Sequence, residues 1–347
     1  VSIEVALGMT WAGARGQTES QMAQALRFTL PQDRLHPAMG TLDLALSSRG
    51  QGAQGADGEP FRLRISNAAW AQRDFSFEPA YLDTLATGYG AGVNLLDFAG
   101  APEPSRQTIN AWVSWETEEK IPELLAEGSI RPDTRLVLTN AVYFNAAWEK
   151  QFTKEATHQA AFILADGTQV EVPTMSQIEG FRFADEADYQ AVELPYDGGE
   201  ISMVVIVPKA GALTAFEASF DATRFAAIVA GLSPAEVDLR LPKFTFEWKS
   251  SLKETLEAMG MPDAFSSAAD FSGMSSAASL VITDVVHQTF VAVDEKGTEA
   301  AAATAVVVGE TSIPMATTMK VDRPFLFAIR DVATGTVLFL GEVYDPR

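Results

Sequence analysis

At 347 residues and 47% hydrophobic content, the chain can bury a large core, as one big domain or two ordinary ones, and this excludes a disordered protein. Forty-six acidic against 25 basic side chains give a formal net charge of -21, which disfavours nucleic acid and anionic membrane surfaces as partners. No apolar run approaches the length of a membrane helix, and zero cysteines exclude disulfides and thiolate metal sites while leaving the compartment open.

The opening stretch, VSIEVALGMTWAGARG, reads as the inside of a helix already under way, with Ile3, Ala6, Leu7, Thr10 and Trp11 at helical spacing, which implies missing upstream sequence. Thr18 and Gln21 predict a capping box in front of an apolar face of Met22, Ala25 and Leu26. The low-complexity stretch 47–60 predicts a surface loop within one domain, ahead of strand-like FRLRISNAAWAQ. Residues 105–121 predict a helix with Ile109, Trp112 and Val113 on one side and charges on the other. RLVLTNAVYF and ISMVVIVP predict strands buried on both faces. Residues 160–175 predict a hairpin turning at Asp166 and Gly167. SSLKETLEAMG predicts a helix through Leu252, Leu256 and Met259 that stops at Gly260, and residues 325–343 predict a second hairpin turning at Thr334 and Gly335. The sum is an α+β architecture with large sheets and a helix-rich first third.

Signatures of catalysis do not assemble. The three histidines are His36, His158 and His287, and there is no G-x-S-x-G elbow, H-E-x-x-H or Walker loop. Gly50, Gly52 and Gly55 satisfy G-x-G-x-x-G without following a strand or opening a helix, so they read as a glycine-rich loop. Glu116, Glu118 and Glu119 read as a solvated helix face, and His287, in an alternating apolar strand, as a hydrogen-bonded core histidine. No catalytic residue, metal or cofactor is assigned.

Residues 294–312, DEKGTEAAAATAVVVGETS, are ambiguous in propensity, because four alanines favour helix and three valines favour strand. The segment DEKGTEAAAATAV resembles the reactive-loop hinge of the serpins, a family of suicide inhibitors of serine and cysteine proteases. INAWVSWETEEKIPELLAEGSIRPDTRLVLTNAVYFNAAWEKQF, AVELPYDGGEISMVVIVP, LPKFTFEWKSSLKETLEAMGM and RPFLFAIRDVATGTVLFLGEVYDP resemble serpin segments in serpin order, so the likeness covers nearly the whole chain. VSIEVAL resembles the tail of the family's SPxSIxxAL motif, so the family's first helix is absent. The resemblance implies a single domain over 1–347 with three β-sheets and an exposed reactive-centre loop, hinge and loop occupying 295–323. It also implies a monomer, exported to the cell envelope or beyond, that acts on a target serine protease.

Such a hinge must suit two environments. In a strand, Thr298, Ala300, Ala302 and Thr304 would point inward together while Glu299 stays in water, and all four inward residues are small and uncharged. If about a dozen residues each gain a ladder hydrogen bond worth roughly 1 kcal/mol net, insertion yields on the order of 10 kcal/mol before apolar burial. By resemblance the hinge comprises Glu295, Lys296, Gly297, Thr298, Glu299, Ala300, Ala301, Ala302, Ala303 and Thr304. The reactive bond is Thr311–Ser312, with cleavage after Val308 or Met315 as alternatives. A small residue there suits elastase-like or subtilisin-like proteases. Ser2, Asn140 and His287 resemble the shutter group beneath the main sheet, which would give His287 its polar partner. Trp148 and the pair Lys243–Glu295 resemble the breach at the sheet's head. Residues 36–48 carry no Lys or Arg, which disfavours a heparin-type cofactor. A noninhibitory binding or chaperone-like serpin is the alternative.

Overall fold

The computed structural model describes residues 2–298 and 316–347. In chain order it gives α1 (Ser2–Trp11), α2 (Gly16–Ala25), α3 (Gln32–Ser47), β1 (Arg62–Gln72), α4 (Pro79–Tyr89), β2 (Gly92–Leu96), α5 (Pro102–Glu116) and β3 (Leu136–Ala147). Four strands come next: β4 (His158–Ile163), β5 (Gln169–Asp185), β6 (Tyr189–Pro195) and β7 (Ile201–Pro208). Then come α6 (Leu213–Ala218), α7 (Ala222–Gly231), β8 (Ser233–Pro242), β9 (Phe244–Ser251) and α8 (Lys253–Ala258). The last third holds β10 (Val286–Val293), β11 (Gly297–Thr298), β12 (Thr317–Lys320), β13 (Phe325–Asp331) and β14 (Val337–Val343).

These elements fall into two compact units. One takes the chain up to Ser48, Leu63–Tyr143 and Glu247–Phe290; the other takes Arg49–Arg62, Phe144–Phe246 and the chain from Val291. The first unit buries Leu7, Met9, Met22, Leu85 and Ile109 in helix-rich cores. In the second, Phe216 and Ile228 of the two helices α6 and α7 pack with Val204, Ile206 and Leu326. One hydrogen-bonded network orders its strands β2-β1-β3-β11-β10-β9. A second, eight-stranded network runs β12-β8-β5-β6-β7-β13-β14, with β4 on β5. The three sheets that the resemblance implies meet as these two networks because the 17-residue β5 serves several neighbours, pairing with β4 over 169–174, with β8 over 174–183 and with β6 over 182–185.

Both predicted hairpins form. β4 and β5 pair from Ile163↔Gln169 outward, with Gly167 at φ 86°, and β13 pairs with β14 beyond Gly335 at φ 73°, a left-handed conformation that favours glycine. β7 is buried at every residue, as a strand covered on both faces requires.

Four expectations need correction. Thr18 does not cap α2; the helix begins before it, and the buried Thr18 hydroxyl instead accepts the Asp270 N–H at 2.9 Å, while the Gln21 side chain accepts the Asp263 N–H at 3.1 Å. The helix predicted over 105–121 starts earlier, at Pro102, and ends at Glu116, because Glu118 and Glu119 adopt left-handed φ values of 48° and 64°. Nor are these glutamates merely solvated: Glu118 pairs with Arg64 at 2.8 Å and Glu116 accepts the Ser66 hydroxyl. Finally, α8 is only six residues long, and Met259 is exposed beyond it rather than on an apolar face.

Candidate functional site

The predicted hinge begins where β10 ends. Val293 pairs with Thr298 across a turn in which the Asp294 N–H donates to the Gly297 carbonyl at 3.0 Å and the Asp294 carboxylate accepts the Lys296 N–H at 2.9 Å. Gly297 and Thr298 are thereby laid as β11 between β10 and β3, opposite Ala147 and Ala146.

The turn is held from one side by the chain just beyond β3. The Trp148 N–H donates to the Lys296 carbonyl at 2.7 Å, its indole N–H to the Asp294 carbonyl at 2.9 Å, and the Phe152 N–H to the Glu295 carbonyl at 2.8 Å. Three successive carbonyls are thus satisfied without a regular ladder, as buried backbone demands.

Glu295 is 7% exposed, and its two carboxylate oxygens accept the Thr157 hydroxyl and the Lys243 ammonium, each at 2.7 Å. Burial alone would raise its pKa, but the bonds from Lys243 and Thr157 outweigh burial and hold it below the ordinary carboxylate value. Glu295 is therefore a paired, charged anchor at neutral pH.

Gly297 lies so close to β3 that an added Cβ would sit 2.0 Å from the Ala146 carbonyl oxygen. Only a residue without a side chain enters there. Next to it, Thr298 is buried and its hydroxyl bonds the Tyr196 hydroxyl at 2.6 Å. Tyr196 is itself fully buried, stacked on Trp148 with centroids 4.5 Å apart and edge-on to Phe144 at 4.9 Å, and burial pushes its hydroxyl pKa well above the ordinary value. Tyr196, Thr157 and Asp294 were not singled out from sequence. The signal available for Tyr196 was its place after the apolar strand that ends in Leu194 and Pro195, where an aromatic with a polar tip needs a buried partner.

The structure brings Trp148, Lys243, Glu295, Lys296, Gly297 and Thr298 together. Glu299, Ala300, Ala301, Ala302, Ala303, Thr304, Val308, Thr311, Ser312 and Met315 lie outside the described residues. Of the shutter group, Ser2 lies in α1, Asn140 on β3 and His287 on β10. The Asn140 amide donates to Asn67 at 2.6 Å, whereas the His287 ring packs edge-on against Trp248 at 5.9 Å and burial lowers its pKa. Among the described residues no hydrogen bond joins His287 to Asn140. His36 is buried in the first unit, where its Nδ1 meets the Tyr89 hydroxyl at 2.6 Å, and burial, with Arg15 nearby, lowers its pKa to about 4. The Gly50 N–H donates to Glu200 at 2.8 Å, a structural task for the glycine-rich loop.

A family model described as serpin (serine protease inhibitor) matches residues 1–346, and the chain belongs to that family. A serpin-like protein of Methanosarcina acetivorans is 37% identical over all of this chain and 80% of its own length. The leukocyte elastase inhibitor of Bos taurus is also 37% identical, over 99% of this chain and 91% of its own. The solved complex of thyroxine-binding globulin with thyroxine is 27% identical with a TM-score of 0.85, covering 100% of this chain and 92% of that one. Serpins generally inhibit proteases and mostly are not catalysts.

Proposed function

We propose that the protein is a suicide-substrate inhibitor of serine proteases, and of cysteine proteases able to make the equivalent acyl bond, acting as one domain over 1–347 with hinge and loop at 295–323. The protease nucleophile attacks the Thr311 carbonyl, the peptide bond to Ser312 breaks, and the new amino terminus at Ser312 leaves. Thr311 stays esterified to the enzyme. The hinge then continues from Thr298 as a strand between β3 and β10, carrying the acyl-enzyme with it before water can complete hydrolysis.

The observation that carries this proposal is β11: the first two residues of the strand to be built already occupy the gap between β3 and β10, with Thr298 buried and bonded. A small β-branched residue at the cut favours an elastase-like or subtilisin-like target, and likeness to a leukocyte elastase inhibitor is in keeping with it. Incubation with elastase-like, subtilisin-like and trypsin-like proteases, then a denaturing gel and mass analysis, is the test. A denaturation-resistant complex and a released peptide beginning at Ser312 are expected; clean cleavage with the protease fully active would refute trapping.

Likeness to a thyroxine-binding globulin favours the alternative of a noninhibitory serpin that binds a ligand or partner. In that case the loop is cut and nothing is trapped.

A further inference from the structure

Within the second unit, a cavity of about 430 Å³ is lined by Gln190, Arg240, Thr318, Lys320, Asp322 and Arg323. Three of these six side chains are cationic, in a chain whose acidic residues outnumber its basic ones 46 to 25. Arg240 is offset by Asp238 at 3.1 Å and Arg323 by Asp322 at 2.8 Å, but among the described residues no carboxylate pairs with Lys320, which is exposed on β12. β12 is the end strand of its network, and its register sets Lys320 directly beside Arg240 of β8. Like charges facing each other on adjacent strands are destabilising, and because Asp238 offsets only Arg240, Lys320 is left to attract an anion from outside.

The place of this cavity along the chain says what that anion belongs to. Thr317, the first residue of β12, is five residue steps beyond Ser312, so extended chain cannot put them more than about 18 Å apart. Lys320 lies three residues further on, within roughly 30 Å of the reactive bond by the same limit. A protease of ordinary size is roughly 40 Å across. The cavity therefore lies within reach of an enzyme seated on the loop.

We propose that Lys320, Arg240 and Arg323 form a docking surface for a carboxylate-bearing rim of the target protease, which selects acidic enzymes despite the net negative charge of the whole chain. The proposal rests on attack at the loop, and not on the fate of the acyl-enzyme. Rim charges act on association rate and its salt dependence, so the quantity to measure is the second-order rate at which intact chain is consumed, whether it is trapped or merely cut.

Wild type, Lys320→Gln and Lys320→Glu/Arg323→Gln are compared against an acidic and a basic protease of the same elastase-like specificity, at about 50 mM and about 500 mM salt. With the acidic protease at low salt, the double variant is expected to react about 10-fold more slowly and Lys320→Gln about 3-fold, the differences falling within about twofold at high salt. The basic protease should show no such loss. Equal low-salt rates for all three proteins on the acidic protease overturn the proposal. If the double variant fails to fold, Lys320→Gln and the salt response of wild type decide, since a rate that does not fall with salt on the acidic enzyme overturns it equally. Absence of a trapped complex counts against trapping alone, because the attack rates remain measurable.

Discussion

Thr298 is the residue on which the two demands on the hinge converge. Its hydroxyl ends a buried chain through Tyr196 to the stacked Trp148, and its neighbour Gly297 leaves no room for adjustment against β3. Thr298→Arg would place a guanidinium where the residue is 4% exposed, at a cost of several kcal/mol. Since 1.4 kcal/mol is a factor of ten between competing rates, the fraction of protease trapped should fall at least tenfold while cleavage continues. Titrating protease activity against inhibitor measures it, and an unchanged trapped fraction would show that insertion does not pass through this position. Glu295 gives a prediction in pH. Its pKa is held below the ordinary carboxylate value, so the pairing stabilises the fold above that range and is lost as pH falls through the lowered value. Lys243→Met leaves the carboxylate buried without its cation and should cost about 2 kcal/mol at neutral pH. Denaturant unfolding of both proteins should show that difference steady from about pH 8 to pH 6 and shrinking at lower pH, as the unpaired carboxyl takes up a proton.

At the scale of elements, β11 is the unusual feature, laid with a neighbour on each side up to Thr298, the last described residue of the hinge. Gly297→Val would drive a side chain into the Ala146 carbonyl, so β11 should be expelled from the sheet. Amide exchange at Trp148, whose N–H donates to Lys296, should then accelerate at least tenfold, and an unchanged rate would mean that the turn holds without β11. The hairpins were legible because a turn glycine and period-two alternation agree, and β7 because an unbroken apolar run of strand length has few other fates. Thr18 was misread because its hydroxyl serves a loop more than 250 residues away, which local capping patterns cannot register. The end of α5 was missed because two glutamates, not a glycine, take the left-handed turn. The Lys243–Glu295 pair was accessible only through family resemblance, since nothing local couples residues 52 apart, and Tyr196 and Thr157 were missed for the same reason. For His287, the resemblance implied a polar partner, and the described residues add the edge of Trp248 packed against its ring.

For the whole molecule, the proposed trapping would be tuned by the charge of -21 and the loop chemistry together. No basic residue lies between Gly297 and Met319, so trypsin-like enzymes lack an anchor. Thr311→Arg should raise inhibition of a trypsin-like protease by at least about 100-fold, in keeping with a buried charge pair in a specificity pocket, and no gain would place the reactive bond elsewhere. The central claim, however, is that a cut loop becomes a strand, and thermal unfolding of intact and loop-cleaved protein tests it most directly. A gain on the order of 10 kcal/mol predicts that cleavage raises the midpoint by more than about 10 °C. Equal or lower stability after cleavage at Thr311–Ser312 would contradict strand insertion.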